Sequence, residues 1–488
     1  MSLASATHLN RRAVILGLAG WVVAISLLGL AIRLYFSIGP LGNDEMWSLA
    51  NLRPISHFWR ILWGISHDNN HFLNSLWLYF VWPWSHDPTL LRLPSILAGA
   101  LTIPLMARLG ARRGPAAALA AAALMALSFF QFTYSVEARG YATATLALLA
   151  AYADLELALD QRERRPRWTF AAAAGLAFFS HLASGPVIVL FGLIAFGETL
   201  RRERDFGGAV RATIALFWPA ALAMAPTLLF VAAGYRVMGG FTIGFLVPFA
   251  ASRTIAAAVN LEMATFGLNP FSFPQIVFAI LALPPFLLAA IFACARPERR
   301  IAYIVMIFAL PAAALILRMP NTHAPRYFFA ASPFLLLLFA EAFDAGWRRA
   351  GAARALAVVA LAASFFGDVT ALARLRAGMT APWTDALRVI VASGEPTLAS
   401  SFDFNVGRSV DFFNVDRGSA LELIGKPAIC AREPRWYVAE LPDDGAAKPA
   451  LQVEGEGCAL SYALVGVYDR DIPWQPVWGL YRRSDAVR

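Results

Sequence analysis

Residues 70–84, NHFLNSLWLYFVWPW, decide how this chain threads. The stretch is apolar enough to enter a bilayer, but a helix crossing the hydrocarbon core needs about 20 residues. Counted as a crossing, it moves every later arginine cluster to the side opposite Arg11 and Arg12. Left out, it places all of them on the same side. Those clusters are Arg108/Arg112/Arg113, Arg162/Arg164/Arg165/Arg167, Arg201/Arg202/Arg204/Arg211, Arg296/Arg299/Arg300 and Arg348/Arg349/Arg354. Basic residues accumulate in cytoplasmic loops. Segment 70–84 therefore reads as an interfacial helix lying on the outer leaflet, with the N-terminus cytoplasmic and everything after residue 373 extracytoplasmic.

Working outward, apolar windows fall near 13–36, 89–109, 115–135, 139–158, 168–184, 185–200, 211–234, 273–294, 301–318, 326–345 and 354–373. That is eleven expected spans. Composition requires a membrane: of 488 residues, 59% are hydrophobic and 15% charged, and the mean hydropathy is +0.58. Soluble chains carry roughly a quarter charged residues. The balance of 41 basic and 32 acidic residues gives +9, and only Lys426 and Lys448 are lysines. Because most of this excess is loop arginine that sets orientation, it gives no reason to expect nucleic acid. The first apolar stretch is too long for a signal-peptide core and no A-x-A site follows it, so it reads as a retained anchor.

Two regions outside the bilayer are large. Loop 37–88 holds six of the fourteen tryptophans, Trp47, Trp59, Trp63, Trp77, Trp82 and Trp84, a density that suits helices at headgroup level. Asn43 is placed to cap a helix over 44–52, with Asp44 and Glu45 in its first turn. Pro54 suits the first position of a helix over 54–64. The tail 374–488 carries 13 basic and 15 acidic residues. A helix over 383–393 and strand-like runs at 396–400, 435–440 and 460–468 make it a small α/β domain. Cys430 and Cys458 fall in it, either paired as a disulfide on the oxidising side or as two small core residues. The chain thus divides into a membrane domain, 1–373, and an extracytoplasmic domain, 374–488.

The residues able to carry chemistry gather on the outer side. Six of seven histidines fall there, His57, His67, His71, His86, His181 and His323. Ionisable groups this close to hydrocarbon are costly unless paired, and they mark sites. Arg92, Arg139 and Arg326 each sit at the outer end of a span, at one depth, where a lipid phosphate would meet them in bidentate fashion; each could equally be a snorkelling anchor. His181, between two short spans, is placed to reach the same phosphate or to satisfy a neighbouring helix. In His67-Asp68-Asn69-Asn70-His71, histidine and aspartate at this spacing can ligate zinc, but a third ligand is lacking; substrate hydrogen bonding and helix capping are the other readings. Asp44 and Glu45 point roughly 100° apart on a helix, so one can act as a general base while the other holds a neighbour; both can equally be first-turn carboxylates stabilising a surface helix.

The order of these motifs is GNDEMW, NNHFLNSLW, LLRLPSILAGALTIPLMARLG, FTYSVEARGYATATLALLAAY, FFSHLASG and PRYFFAASPFLLLLFAEAF. It resembles the GT-C superfamily of membrane glycosyltransferases, in particular family 39/83-like members: protein mannosyltransferase-like, aminoarabinose transferase-like and Rgt-type galacturonosyltransferase-like proteins. The resemblance covers roughly residues 1–375. It implies a polytopic helical fold in the bacterial inner membrane that transfers a sugar from a polyprenyl-phosphate donor to an extracytoplasmic lipid, glycan or protein acceptor, with inversion. On that basis Asp44 is the base, with Glu45 beside it. Arg326 and Tyr327 lie near the carrier phosphate, joined by Arg92, Arg139, Tyr141 and His181, while His67, Asn70 and His71 contact substrate. Many relatives have Lys-Pro-Pro or His-Pro-Pro where this chain has Asn70-His71-Phe72, which leaves His71 as the substitute. No cofactor is required, although Asp44 or Glu45 could coordinate a divalent metal. The rival readings are a transporter or flippase of lipid-linked sugars and a non-catalytic scaffold. A transporter favours repeats, broken helices and midplane polar groups; no repeat is visible, and stretches 115–128 and 329–340 are nearly free of polar residues.

Overall fold

The computed structural model describes residues 3–163, 165, 167–242, 246–268, 273–378, 384–416, 418–441, 446–468 and 477–484. Arg164 lies outside them, as do the side chains of Arg11 and Arg12 and those of 273–282. The chain forms two compact units, one of Met1–Ile38 with His57–Ala371 and one of Gly39–Ser56 with Leu372–Arg488.

The first unit is helical. Among the described residues, seven helices are long and apolar enough to cross a membrane: Gly17–Ser37, Leu93–Ala111, Tyr141–Asp160, Ser184–Glu203, Phe206–Val237, Pro297–Ile316 and Ala352–Ala377. Their exposed faces carry Leu27, Leu28, Leu101, Leu229 and Phe366, as expected where lipid is the solvent. Eleven spans were expected, and the difference has three sources. Trp168–Ser180 has only 13 residues and Ala331–Trp347 only 17. The apolar stretch in Phe273–Cys294 that lies among the described side chains is Leu283–Cys294. The expected span 115–135 is a pair of helices, Pro115–Leu127 and Phe129–Ser135, bent by 55°. Ser128 breaks it with φ −42° and ψ 115°, its hydroxyl donating to Thr265 O at 2.8 Å; serine readily competes with helical backbone in this way. The expected helix 54–64 is likewise reduced to a single 3-10 turn, Phe58–Leu62, because His57 is extended at φ −138°. The stretch 70–84 forms helix Phe72–Val81.

Small residues set the closest packing. Pro115 starts its helix at the first position, where its missing N–H costs nothing. A Cβ on Gly110 would lie 2.5 Å from Ala117 O, so the hairpin of Leu93–Ala111 and Pro115–Leu127 closes only with glycine there. A buried polar network ties the arginine-bearing ends of the helices together. Arg113 Nε donates to Tyr303 Oη at 2.8 Å, and Tyr303 Oη donates to Glu341 Oε2 at 2.8 Å. Arg299 Nε donates to Glu156 Oε1 at 3.0 Å. Ala116 N donates to Asp344 Oδ1 at 3.2 Å, placing a carboxylate at the positive end of a helix dipole.

The second unit is built on a six-stranded mixed sheet. Its strands are β1 (Thr397–Ser400), β2 (Glu422–Leu423), β3 (Trp436–Glu440), β4 (Ala450–Gly455), β5 (Cys458–Tyr468) and β6 (Trp478–Arg483), in the order β2-β1-β3-β6-β5-β4. β1 runs parallel to both β2 and β3, and the remaining pairs are antiparallel. Tyr437, Tyr462 and Tyr481 fill the core on one face with Ile429 and Val453. Cys430 and Cys458 are disulfide-bonded. Helix Asn43–Leu52 belongs to this unit. Trp47 meets the edge of Phe404 at 4.8 Å, Arg408 lies over its ring, and Arg53 donates to Asp411 O.

Candidate functional site

The acidic motif is arranged differently from expectation. The residue preceding the helix is Gly42, not Asn43, and Asn43 Oδ1 instead accepts from Ser409 Oγ at 2.9 Å. Glu45 reaches back so that its Oε2 accepts from Gly42 N at 2.6 Å. A carboxylate at the third helical position thereby satisfies a donor that the helix leaves open. Glu45 is 1% exposed; its neighbour Asp44 is partly exposed in the same turn.

In the first unit, four chain turns converge. One is His71, which precedes helix Phe72–Val81. The second is Arg139-Gly140-Tyr141, which opens helix Tyr141–Asp160. The third is His181, which ends helix Trp168–Ser180, and the fourth is the 3-10 turn Pro325–Phe328. Gly140 makes the convergence possible: a Cβ there would lie 2.0 Å from Ser180 O and 3.1 Å from His71 Cβ. With nothing in that space, the ring of His181 sits 4.6 Å from His71 and 4.4 Å from Tyr141. Tyr141 also meets Tyr134 at 4.6 Å and Phe329 at 5.6 Å. The Arg139 guanidinium lies 4.9 Å from the Tyr141 centroid, a cation–π distance, and donates to Asn69 Oδ1 at 3.0 Å. Arg326 lies over Tyr327 at 5.7 Å.

These contacts set the protonation of both histidines, which lie in turns outside the spanning helices. Burial, then the neighbouring His181, then the cations Arg139 and Arg326 hold His71 well below the usual imidazole range. Burial, with Arg139 and Arg326 adding to it, pushes His181 down to about 3. His181 Nδ1 accepts from Ala183 N at 3.1 Å, so its proton resides on Nε2. Among the described residues, the Nε2 atoms of His71 and His181 and the Tyr134 hydroxyl are buried without a hydrogen-bond partner. The result is a buried neutral donor, His181 Nε2–H, in a site that also holds two arginines. An oxyanion would be bound there by cationic charge without a proton being moved to it.

Other expected residues fall outside this cluster or act on backbone. Arg92 is fully buried and donates to Ser37 O at 2.7 Å, capping the last turn of the first helix. Asn70 donates to Ile61 O and Ile65 O, so it shapes the preceding loop, and Asn69 rather than Asn70 meets Arg139. His67 Nδ1 accepts from Asn69 N at 2.9 Å. His67 also borders a small recess lined mainly by Leu62, Ile65, Phe72, Leu182, Phe230 and Phe241. Among the described residues, no three histidine, cysteine or acidic side chains converge as a metal site would require. Asn69, Tyr134 and Arg33 were not singled out in the sequence. Of these, only Arg33, a lone charge in the apolar run AIRLYFS, carried a readable signal.

No protein-family model matches the chain, and no curated protein matches it. Solved structures do. The apo structure of ArnT from Cupriavidus metallidurans is 13% identical with a TM-score of 0.50, covering 95% of this chain and 98% of that one. The same protein bound to undecaprenyl phosphate is 14% identical with a TM-score of 0.48 over the same shares. The chain is similar to ArnT in fold, with apolar helices long enough to cross a membrane and a small sheet unit.

Proposed function

We propose that this chain is a glycosyltransferase of the bacterial inner membrane that moves a sugar from a polyprenyl-phosphate donor to an acceptor on the extracytoplasmic side. The observation that carries the reading is the convergence of Arg139, Arg326, His71, His181 and Tyr141 at one place. A phosphate ester leaves well once its developing charge is met, and guanidinium groups with a neutral N–H donor meet that need. In the proposed reaction the acceptor hydroxyl attacks the anomeric carbon and the bond to the phosphate oxygen breaks. The electron pair leaves with the polyprenyl phosphate, and the hydroxyl proton passes to a carboxylate base. Asp44 takes the base role because Glu45 is engaged as a helix cap, and the configuration inverts. The N-terminus is cytoplasmic and the sheet domain extracytoplasmic. Arg326 and Tyr327 hold the carrier phosphate with Arg139, and the acceptor is an envelope lipid, glycan or protein. No metal is assigned a step.

One observation favours a flippase instead, the broken helix at Ser128. A single experiment separates the two. Envelope glycolipids, glycans and proteins from cells lacking the chain are compared by mass spectrometry, with and without complementation. A transferase predicts that one sugar disappears, that the wild-type chain restores it, and that Asp44→Asn does not although it inserts normally. Restoration by Asp44→Asn and Glu45→Gln alike overturns the catalytic assignment.

A further inference from the structure

Arg33 lies in the first membrane helix and is fully buried. An arginine so placed is costly unless each of its donors is satisfied, and here its partners lie on both sides of the broken helix. Nη1 donates to Ala126 O at 3.2 Å and Nη2 to Met125 O at 3.3 Å, at the C-terminal end of Pro115–Leu127. Nε donates to Ser135 Oγ at 2.8 Å, in the last turn of Phe129–Ser135, and the guanidinium lies 5.2 Å from the Phe132 ring. The remaining contact is with Gly29 O of its own helix. Glycines make the room: a Cβ on Gly99 would lie 3.0 Å from Arg33 Nε and 2.3 Å from Ser135 Cβ.

Asp368 completes the arrangement from another helix. It is fully buried, and its Oδ1 accepts from Phe129 N at 2.9 Å, the first residue of the second half-helix. The side-chain groups match the open backbone groups they face. A cation sits where the first half ends in open carbonyls, and an acceptor oxygen sits where the second half begins with open N–H groups. The elbow is therefore fixed in angle from both ends, since each half is held at its own terminus. The second half carries Tyr134, whose ring meets Tyr141. It runs within four residues into Arg139, whose carbonyl accepts from Ser95 Oγ at 2.9 Å.

We propose that Arg33 and Asp368 are positioning residues for the polyprenyl-phosphate site, setting the direction of Phe129–Ser135 and thereby the placement of Tyr134 and Arg139. The proposal rests on the donor reading above, and its test separates the two. Full-length chain in lipid nanodiscs is titrated with a labelled polyprenyl monophosphate, and donor KM and kcat are measured alongside. Arg33→Met and Asp368→Leu are expected to weaken binding and raise KM tenfold or more with kcat within threefold. Asp368→Asn keeps an oxygen that accepts from Phe129 N–H, so it stays within twofold of wild type. Ser135→Ala removes one partner of Arg33 with little risk to folding and is expected to weaken binding about threefold. Unchanged binding in Ser135→Ala and Arg33→Met, or equal loss in Asp368→Asn and Asp368→Leu, overturns the proposal. If the wild-type chain binds no polyprenyl phosphate, the donor reading fails, and amide hydrogen exchange then decides the elbow. Faster exchange confined to 129–140 in Asp368→Leu supports it, and unchanged or uniformly raised exchange overturns it.

Discussion

The imidazoles of His71 and His181 lie 4.6 Å apart, and both are held uncharged by burial and by the facing Arg139 and Arg326. In an unfolded chain each titrates near 6.5. The folded His181 titrates at about 3, and His71 is likewise depressed. Above pH 6.5 neither state holds the extra proton and no stability is lost. As pH falls from 6.5 toward 3, the unfolded chain takes up protons that the folded chain refuses, so stability falls by up to about 1.4 kcal/mol per pH unit for each histidine. Thermal melts of the detergent-solubilised protein from pH 7.5 to 4.5 should show this slope, and His181→Gln should flatten it. An unaltered slope in that variant, and in His71→Gln, means the folded rings take up protons as readily as the unfolded ones.

Gly140 tests the convergence itself. Its φ of −76° is ordinary, so alanine there is limited by space alone, and the new methyl would meet Ser180 O at 2.0 Å. Separating helix Tyr141–Asp160 from the end of Trp168–Ser180 should cost about 1–3 kcal/mol and reduce transfer by the folded fraction. Gly192 is the control, because a Cβ there meets Phe217 at an ordinary 3.8 Å. Gly192→Ala should melt within a degree or two of wild type. Equal behaviour of the two variants would show that the approach at Gly140 relaxes freely.

The membrane class and several residues of the candidate cluster are legible because both leave local marks. A run of apolar residues needs lipid wherever it lies, and Arg139, His181 and Arg326 stand out against it. Three features left no such mark. The elbow at Ser128 depends on Arg33, Asp368 and Thr265, which are distant in sequence, and its own residues read as one apolar span. Asp44 and Glu45 read alike, as a base or as first-turn carboxylates, and only the rotamer that turns Glu45 back onto Gly42 N tells them apart. Asn69 and Asn70 are indistinguishable in sequence, and only the turn decides which one faces Arg139.

The buried network at the arginine-bearing ends should behave as a unit. Arg113 and Tyr303 both reach Glu341, with Arg113 Nε 3.5 Å and Tyr303 Oη 2.8 Å from Oε2. Glu341→Leu alone leaves Arg113 buried with one carboxylate fewer, and losing one partner of such a pair costs about 3–5 kcal/mol. Arg113→Met combined with Glu341→Leu replaces both charges by apolar groups and should cost less than the two single changes added together. Melting temperatures of the four proteins in one detergent give the coupling. Simple additivity would show that the two side chains do not share their stabilisation.

Asp44 and Glu45 are neighbours in one helical turn, and the structure separates their tasks. Glu45 is buried with Oε2 on Gly42 N, so Glu45→Ala should cost about 0.5–2 kcal/mol as a lost cap does, lowering the melting temperature while kcat per folded molecule stays within threefold. Glu45→Gln keeps an oxygen for the same N–H and loses only the favourable charge at the helix start, about 0.3–1 kcal/mol. Asp44 is partly exposed, so Asp44→Asn should leave the melting temperature nearly unchanged. As the proposed base, it should lose 10²–10⁴-fold in kcat, the scale of general-base assistance. Steady-state rates divided by the folded fraction separate the two residues. A collapse of kcat in Glu45→Gln at unchanged melting temperature, with Asp44→Asn active, would exchange their roles and leave the cap an incidental contact of the true base.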